Sequence, residues 1–237
     1  MKIDLHSHTI YSRHRFWGHD AINTPEQMIK AAIQQGLSGL AITDHDTVRG
    51  SLVGDEIAKR KYKDFIIIPG SEIKSEKGDI LGLGIRENVP KGLGVEETVD
   101  RIHDLGGIAV AAHPFSRYPW RKCLKEECLK TDAIEVFNSR SGVKTNLKTL
   151  EFAKKYRKPK TASSDAHWAW NVGFAGVVCD NGDVDDILES IRKGRVKIFG
   201  KYTPFWDISF MLLKKFTRSF NWRILRRKPL ELKKIGF

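Results

Sequence analysis

His6 and His8 form a His-x-His pair directly after the apolar run Lys2–Leu5. Side chains alternate along an extended segment, so a two-residue spacing puts both imidazoles on one side. The same arrangement, a short apolar run ending in residues able to bind metal, recurs along the chain. Asp44, His45 and Asp46 follow Gly39–Thr43, Glu72 follows Phe65–Pro69, His113 follows Ile108–Ala112, and Asp165 with His167 follows Pro159–Ala162. Imidazoles and carboxylates without thiolates suit zinc, manganese or iron, and a shared carboxylate can bridge two ions. One histidine after a strand is more often a turn residue than a ligand. Its repetition at five strand ends favours a metal centre.

Such residues need a scaffold that brings strand ends together. Besides those five runs, Ile80–Ile85, Ala133–Phe137, Phe174–Val178 and Arg195–Ile198 read as strands. Between many of them the spacing is helical. Thr24, Pro25 and Gln27 predict an N-cap, a first-turn proline and a capping box ahead of Met28, Ala32, Ile33 and Leu37. Further helices are expected after Asp46, over Val95–Leu105 and Leu147–Tyr156, and over Val184–Arg192 with Gly194 as a stop. Strands alternating with helices imply a largely parallel sheet covered by helices. Seven or so strands in about 200 residues suit a small barrel or a doubly wound sheet. In a barrel, the C-terminal strand ends converge on one mouth.

The 237 residues are 41% hydrophobic and 30% charged, which excludes a disordered or collagen-like chain and allows a sizeable core. No stretch approaches the roughly 20 apolar residues of a membrane span, and the opening MKIDLHSHT does not read as a signal peptide. Cys123, Cys128 and Cys179 lack CxxC spacing, which argues against a disulfide framework and fits a reducing, cytoplasmic setting. Neither GxGxxG after the first strand nor a P-loop occurs. Net charge is +12, and Lys201–Phe237, with ten basic and two acidic residues, carries +8 of it. Phe205, Ile208, Leu212 and Phe216 recur there at helical spacing. That segment reads as a basic amphipathic extension, 201–237, after a main domain of residues 1–200. It packs on the body, contacts nucleic acid or an acidic membrane surface, or makes a dimer contact.

The chain resembles the PHP superfamily, named for the polymerase and histidinol phosphatase domain. The resemblance rests on Asp4-Leu5-His6-Ser7-His8-Thr9 with Ser12, Ile42-Thr43-Asp44-His45-Asp46-Thr47, Pro69-Gly70-Ser71-Glu72, Ala112-His113-Pro114 and Ser163-Ser164-Asp165-Ala166-His167. It implies a distorted seven-stranded α/β barrel with two or three divalent metal ions. It also implies hydrolysis of phosphoester bonds on a small phosphomonoester, a nucleotide or a short oligonucleotide end. Carried over motif by motif, it assigns His6, His8, Glu72 and Asp165 to one ion, Glu72 and His113 to a second, and His14, His45 and His167 to a third, with His19 and Asp20 near His14 as alternatives for the family's His or Asp after its first motif. Asn138 is the nearest match to a further donor for the second ion, whereas Glu135, inside its strand, is expected to anchor other side chains. Gly70 is expected in a tight turn that aims Glu72.

In that chemistry, metal-activated hydroxide attacks phosphorus and the metals offset charge on the phosphoryl oxygens. Asp46 or His19 is the candidate proton donor to the leaving group. Arg117 and Arg140 are candidate anion contacts, with Arg13 a weaker third; the alternative for each is a solvated loop charge. Phe16, Trp17, Trp120, Trp168 and Trp170 lie near these loops, with Trp168 and Trp170 the best placed to stack on a base. Histidinol-phosphate phosphatase activity, or a noncatalytic nucleic-acid or membrane-associated module that keeps its metal site, are the competing readings.

Overall fold

The computed structural model describes residues 1–14, 18–116 and 122–204, with residues 14, 18 and 19 described through their backbone alone. Its main sheet has nine strands in the order β11-β10-β1-β4-β5-β6-β7-β8-β9. They are β1 (Lys2–Asp4), β4 (Gly39–Ile42), β5 (Ile66–Lys74), β6 (Asp79–Leu83), β7 (Ile108–Ala111), β8 (Ala133–Asn138), β9 (Lys160–Ser163), β10 (Ala175–Val178) and β11 (Lys197–Gly200). A separate ribbon pairs β2 (Arg13–His14) with β3 (Gly18–His19).

The expected seven-stranded barrel is therefore corrected to a nearly closed barrel of nine strands. β10 pairs antiparallel with β1, and β11 antiparallel with β10, so the last two apolar runs extend the sheet beyond its first strand. That end packs against β9, and a parallel bridge between Ser7 and Ala166 ties the loops after β1 and β9. The predicted C-terminal helical extension lies outside the described residues from position 205 onward. Its first residues belong to the body: the Lys201 amide donates to the Phe174 carbonyl at 2.7 Å, and the Thr203 amide to the Ser139 carbonyl at 2.8 Å.

Pairing is parallel along β1–β4–β5 and β7–β8–β9, while β6 runs antiparallel to both of its neighbours. Alternation divides the apolar residues between two environments. Ile3, Ala41, Ile68, Leu81, Leu83, Val110 and Ala133 fill one cluster, with Ile187, Leu188 and Ile191 of α5 (Val184–Arg192). Leu40, Ile42 and Ile67 face the other way, toward Met28, Ile29 and Ala32 of α1 (Pro25–Gln34) and Ala58 of α2 (Arg49–Lys61). α3 (Val95–Asp104) and α4 (Val143–Lys155) cover β6, β7 and β8 in the same manner. Thr24 caps α1 with the expected capping box to Gln27, removing two orphan donors at that end. Among the described residues no helix is long and apolar enough to cross a membrane.

Gly70 lies within β5, opposite Leu83, and not in a turn. A Cβ there would sit 2.6 Å from the Gly82 carbonyl oxygen, so close approach across the β5–β6 pair accounts for it.

Candidate metal centre

The parallel strands deliver their C-terminal ends to one side of the barrel, where His6, His8, His45, Glu72, His113, Asp165 and His167 meet. Three residues here, Asp46 (φ 54°), His113 (φ 31°) and Asp165 (φ 53°), adopt left-handed backbone that non-glycine residues rarely take. Backbone of this kind costs of order 1–3 kcal/mol per residue and persists where the surroundings over-determine it.

Glu72 is the hub. Its Oε1 lies 3.0 Å from Nε2 of His113, and its Oε2 lies 2.8 Å from Nδ1 of His45, 3.3 Å from Nε2 of His8 and 3.4 Å from Nε2 of His6. Asp165 Oδ1 approaches Nε2 of His8 at 3.4 Å and Nε2 of His6 at 3.8 Å. Nε2 of His6 and Nε2 of His8 are 3.1 Å apart. Two imidazole lone pairs that close repel unless a proton or a cation lies between them, and both rings are fully buried. Single donor atoms come within 4.8 Å of one another in four trios: His6, His8 and Glu72; His8, His45 and His167; His6, His113 and Glu135; and Glu72, Asp79 and His113. A buried nitrogen-and-oxygen donor set without thiolates fits divalent cations. The chain therefore has a metal-binding site of the kind that metal-dependent hydrolases use.

Buttresses lie behind the donors. Glu135, on β8, accepts from Nδ1 of His6 at 3.1 Å, from the His113 amide at 2.7 Å and from the Asn138 amide nitrogen at 3.0 Å, and it also bonds the Ser163 hydroxyl. Ser12 Oγ lies 3.2 Å from Nδ1 of His8. Asp44 accepts from the amide and hydroxyl of Thr9 at 2.6 and 2.7 Å, fixing the turn after His8. Asp4 accepts from the Ser164 amide at 3.0 Å and the Gly173 amide at 2.9 Å, fixing the approach to Asp165.

The electrostatics follow from burial and crowding. Burial works against the imidazolium of His45, but the Glu72 and Asp20 carboxylates outweigh it and raise its pKa to about 10. Burial also opposes charge on His6, yet Asp165, Glu72 and Glu135 hold its pKa well above the usual value. Burial together with His167 and His45 pushes His8 well below it, and burial with the Arg140 guanidinium lowers His167 to about 4. Glu72 and Asp165 stay well below the usual carboxylate range despite burial, Glu72 through His45 and His6, Asp165 through Arg140 and His6. Positive charge therefore collects where cations would otherwise serve.

Asn138 is beside the cluster, with its amide nitrogen donating to Glu135 and, at 3.3 Å, to Asp165, while its carbonyl oxygen accepts from the Arg140 amide at 2.9 Å. Nη1 of Arg140 lies 3.1 Å from Asp165 Oδ1 and 2.8 Å from Nδ1 of His167. Asp46 is half-buried at the rim, accepting from the Lys74 amide at 3.0 Å with Lys91 Nζ at 3.8 Å. Trp168 is buried, and Trp170 packs against it with ring centroids 4.6 Å apart while remaining 44% exposed. The side chains of His14 and His19, and all of Arg117, Phe16, Trp17 and Trp120, lie outside the described residues.

Two acidic residues outside the assigned ligand set belong here: Asp79, and Asp20, which stands near His14 in sequence as an alternative to it. Asp20 Oδ2 lies 3.1 Å from Nε2 of His45 and 3.0 Å from Nε2 of His167. Its position after the β2–β3 ribbon carries no strand-end signal. Asp79 joins Glu72 and His113 from the first position of β6.

Residues 144–196 match a family model described as PHP-associated. Uncharacterized protein MJ1587 of Methanocaldococcus jannaschii is 40% identical over 155 residues, covering 62% of this chain and 88% of its own length. Uncharacterized protein MJ0417 of the same organism is 33% identical over 183 residues, covering 74% of this chain and 69% of its own. A two-domain protein of Bacteroides vulgatus, whose crystal structure contains a predicted PHP-like metal-dependent phosphoesterase, superposes with a TM-score of 0.67 at 16% identity, over 85% of this chain and 65% of that one.

Proposed function

Because the chain belongs to the PHP superfamily, we propose that it hydrolyses phosphoester bonds with two or three divalent cations, acting on a small phosphomonoester, a nucleotide or a short oligonucleotide end. The observation that carries this reading is the placement of Glu72, one buried carboxylate reaching His113 through one oxygen and His6, His8 and His45 through the other. That geometry suits a carboxylate shared between neighbouring cations.

His6, His8, Glu72 and Asp165 would hold one cation, Glu72 and His113 a second, and His45 and His167, joined by Asp20 and His14, a third. Cations bound there supply Lewis acidity toward phosphoryl oxygens and a nucleophile generated from water near neutral pH. The protein's own part is to fix the donors and to grip the substrate. Arg140 stands over Asp165 with a guanidinium fork matched to phosphate oxygens. Arg117 is assigned the same duty, and Asp46 or His19 donates the proton that the departing oxygen needs. The open face of Trp170 offers a stacking surface worth about 1–3 kcal/mol to a base, which favours a nucleotide within this substrate range.

The test pairs metal analysis of the purified protein with a panel of histidinol phosphate, a 3',5'-bisphosphonucleotide and short RNA and DNA, each with Mn, Zn or Fe supplied. Asp165→Ala and His8→Ala are expected to abolish metal-dependent turnover while the chain stays folded. Full activity in either variant overturns the assignment.

A further inference from the structure

β11 runs antiparallel to β10, which runs antiparallel to β1, so β11 points the same way as β1 and its C-terminal end reaches the mouth of the centre. The chain leaving it stays at that rim. The Lys201 amide is anchored on the Phe174 carbonyl and the Thr203 amide on the carbonyl of Ser139, the residue before Arg140. Tyr202, between these two anchors, packs its ring on Phe137 with centroids 4.9 Å apart and remains 40% exposed.

Three lysines line the same stretch of rim. Lys201 places Nζ 4.0 Å from the Phe174 ring centroid. Lys148 of α4 places Nζ 4.7 Å from the ring of Phe115, two residues beyond His113, so this face of α4 overlooks the His113 loop. Lys144 stands one turn earlier on the same face. All three are exposed, and among the described residues none of them has an ion-pair partner. Cations gathered on one arc without carboxylates set up a field that draws in negative charge. A single phosphate held beside Asp165 and Arg140 has no use for lysines a helical turn or more away, whereas a row of phosphates does. The 33 residues that follow Pro204 start from this rim and add nine basic and two acidic residues.

We propose that the arc of Arg140, Lys144, Lys148, Lys201 and Tyr202 is a track for single-stranded nucleic acid. A strand with its end in the metal centre lays its following phosphates on the cations and one base on Tyr202; this rests on the phosphoesterase reading above. A row of cations beside an open aromatic ring holds single strands with little regard to sequence. It selects the oligonucleotide end from the substrates proposed for the centre.

The experiment measures binding of a fluorescein-labelled phosphorothioate single strand to the full chain by anisotropy over a range of salt. Replacing Lys144, Lys148 and Lys201 together by Gln is expected to lower the slope of log affinity against log salt by about 2, each phosphate contact to a single strand being worth about 0.7. The same change at the exposed Lys63, Arg195 and Lys197, at the opposite end of the barrel, is expected to leave the wild-type slope. Tyr202→Ala is expected to weaken binding roughly 5–150-fold with the slope retained. A wild-type slope in the rim triple variant, an equal fall in the control triple variant, or wild-type affinity in Tyr202→Ala overturns the proposal. So does a rim triple variant that loses affinity for phosphatidylserine vesicles and keeps it for the strand, since the surface then belongs to a membrane. A chain that holds the strand on this arc yet turns over no phosphoester of the panel overturns the catalytic reading instead and leaves the arc as a binding surface.

Discussion

The Glu135 carboxylate accepts the Nδ1 proton of His6 at 3.1 Å, which leaves Nε2 of the same ring facing His8, Glu72 and Asp165. A carboxylate behind a metal-facing imidazole fixes its tautomer and raises its basicity. Glu135→Gln keeps the shape and can still meet His6, but it removes the charge and one acceptor from a group that also serves the His113 amide and Asn138. Metal affinity is expected to fall by about 10–100-fold with the stoichiometry retained. Calorimetric titration checks this, and an unchanged affinity would show that the carboxylate only fills space.

The raised pKa values of His6 and His45 set a pH dependence whose sign is fixed. In the metal-free fold His45 keeps its proton up to about pH 10, against an ordinary value of 6.5. A cation at His45 must displace that proton, so apparent affinity rises with pH by up to about tenfold per unit between pH 6.5 and 10. The stability of the metal-free protein moves the opposite way. The folded state holds more protons than the unfolded chain in that window, so the contribution of His45 is complete below pH 6.5 and is lost as the pH climbs toward 10. Thermal melts of stripped and Mn2+-loaded protein at pH 6.5 and 9 should therefore diverge, with the gap wider at the higher pH. A gap that narrows contradicts the assignment of protons to this cluster.

Gly50 opens a third line of test. It sits in the first turn of α2, where an added Cβ would be 1.8 Å from Asp44 Oδ2 and 2.7 Å from Thr9 Oγ1. In an exposed helix, alanine would gain roughly 1 kcal/mol over glycine. Here it meets a buried carboxylate held by two bonds to Thr9, so Gly50→Ala is expected to destabilise the fold by about 1–3 kcal/mol. Urea unfolding measures it. Stabilisation by the substitution would mean that the loop after His8 yields freely.

What could be read in the sequence follows strand direction. All nine apolar runs become strands of the main sheet, so the expected count of seven or so falls short of the order observed, in which the antiparallel pair β10 and β11 extends the sheet beyond β1. His6, His45, Glu72, His113 and Asp165 were visible because parallel strands end where the centre lies. Asp79 was not, because only the reversal of β6 brings a strand's beginning to that end, and reversal leaves no mark in a short apolar run. Glu135 was legible as an anchor from its place inside β8, two residues after the inward-facing Ala133. Asp20 depends on the path of the β2–β3 ribbon, which no periodicity announces. Gly70 was read as a turn because the β5–β6 contact that excludes a side chain there is made 12 residues away in sequence, at Gly82.

Arg140 separates substrate grip from metal scaffolding. Its Nη1 touches both Asp165 and His167, and its side chain is 17% exposed, so it can reach a phosphate at the mouth or simply tie two ligands together. Loss of a charged hydrogen-bond donor to phosphate costs about 1.5–3 kcal/mol, so Arg140→Ala should lower kcat/KM for a phosphoester by roughly 10–150-fold. Arg140→Lys should recover only part of this, since an ammonium keeps the charge but not the planar fork. Metal content distinguishes the two roles. Both variants should keep the wild-type complement of Mn2+, and the loss should appear in KM as well as kcat. If Arg140→Ala instead sheds a metal ion and adding Mn2+ restores full kcat/KM, the guanidinium is a tie between Asp165 and His167 and takes no part in holding the substrate.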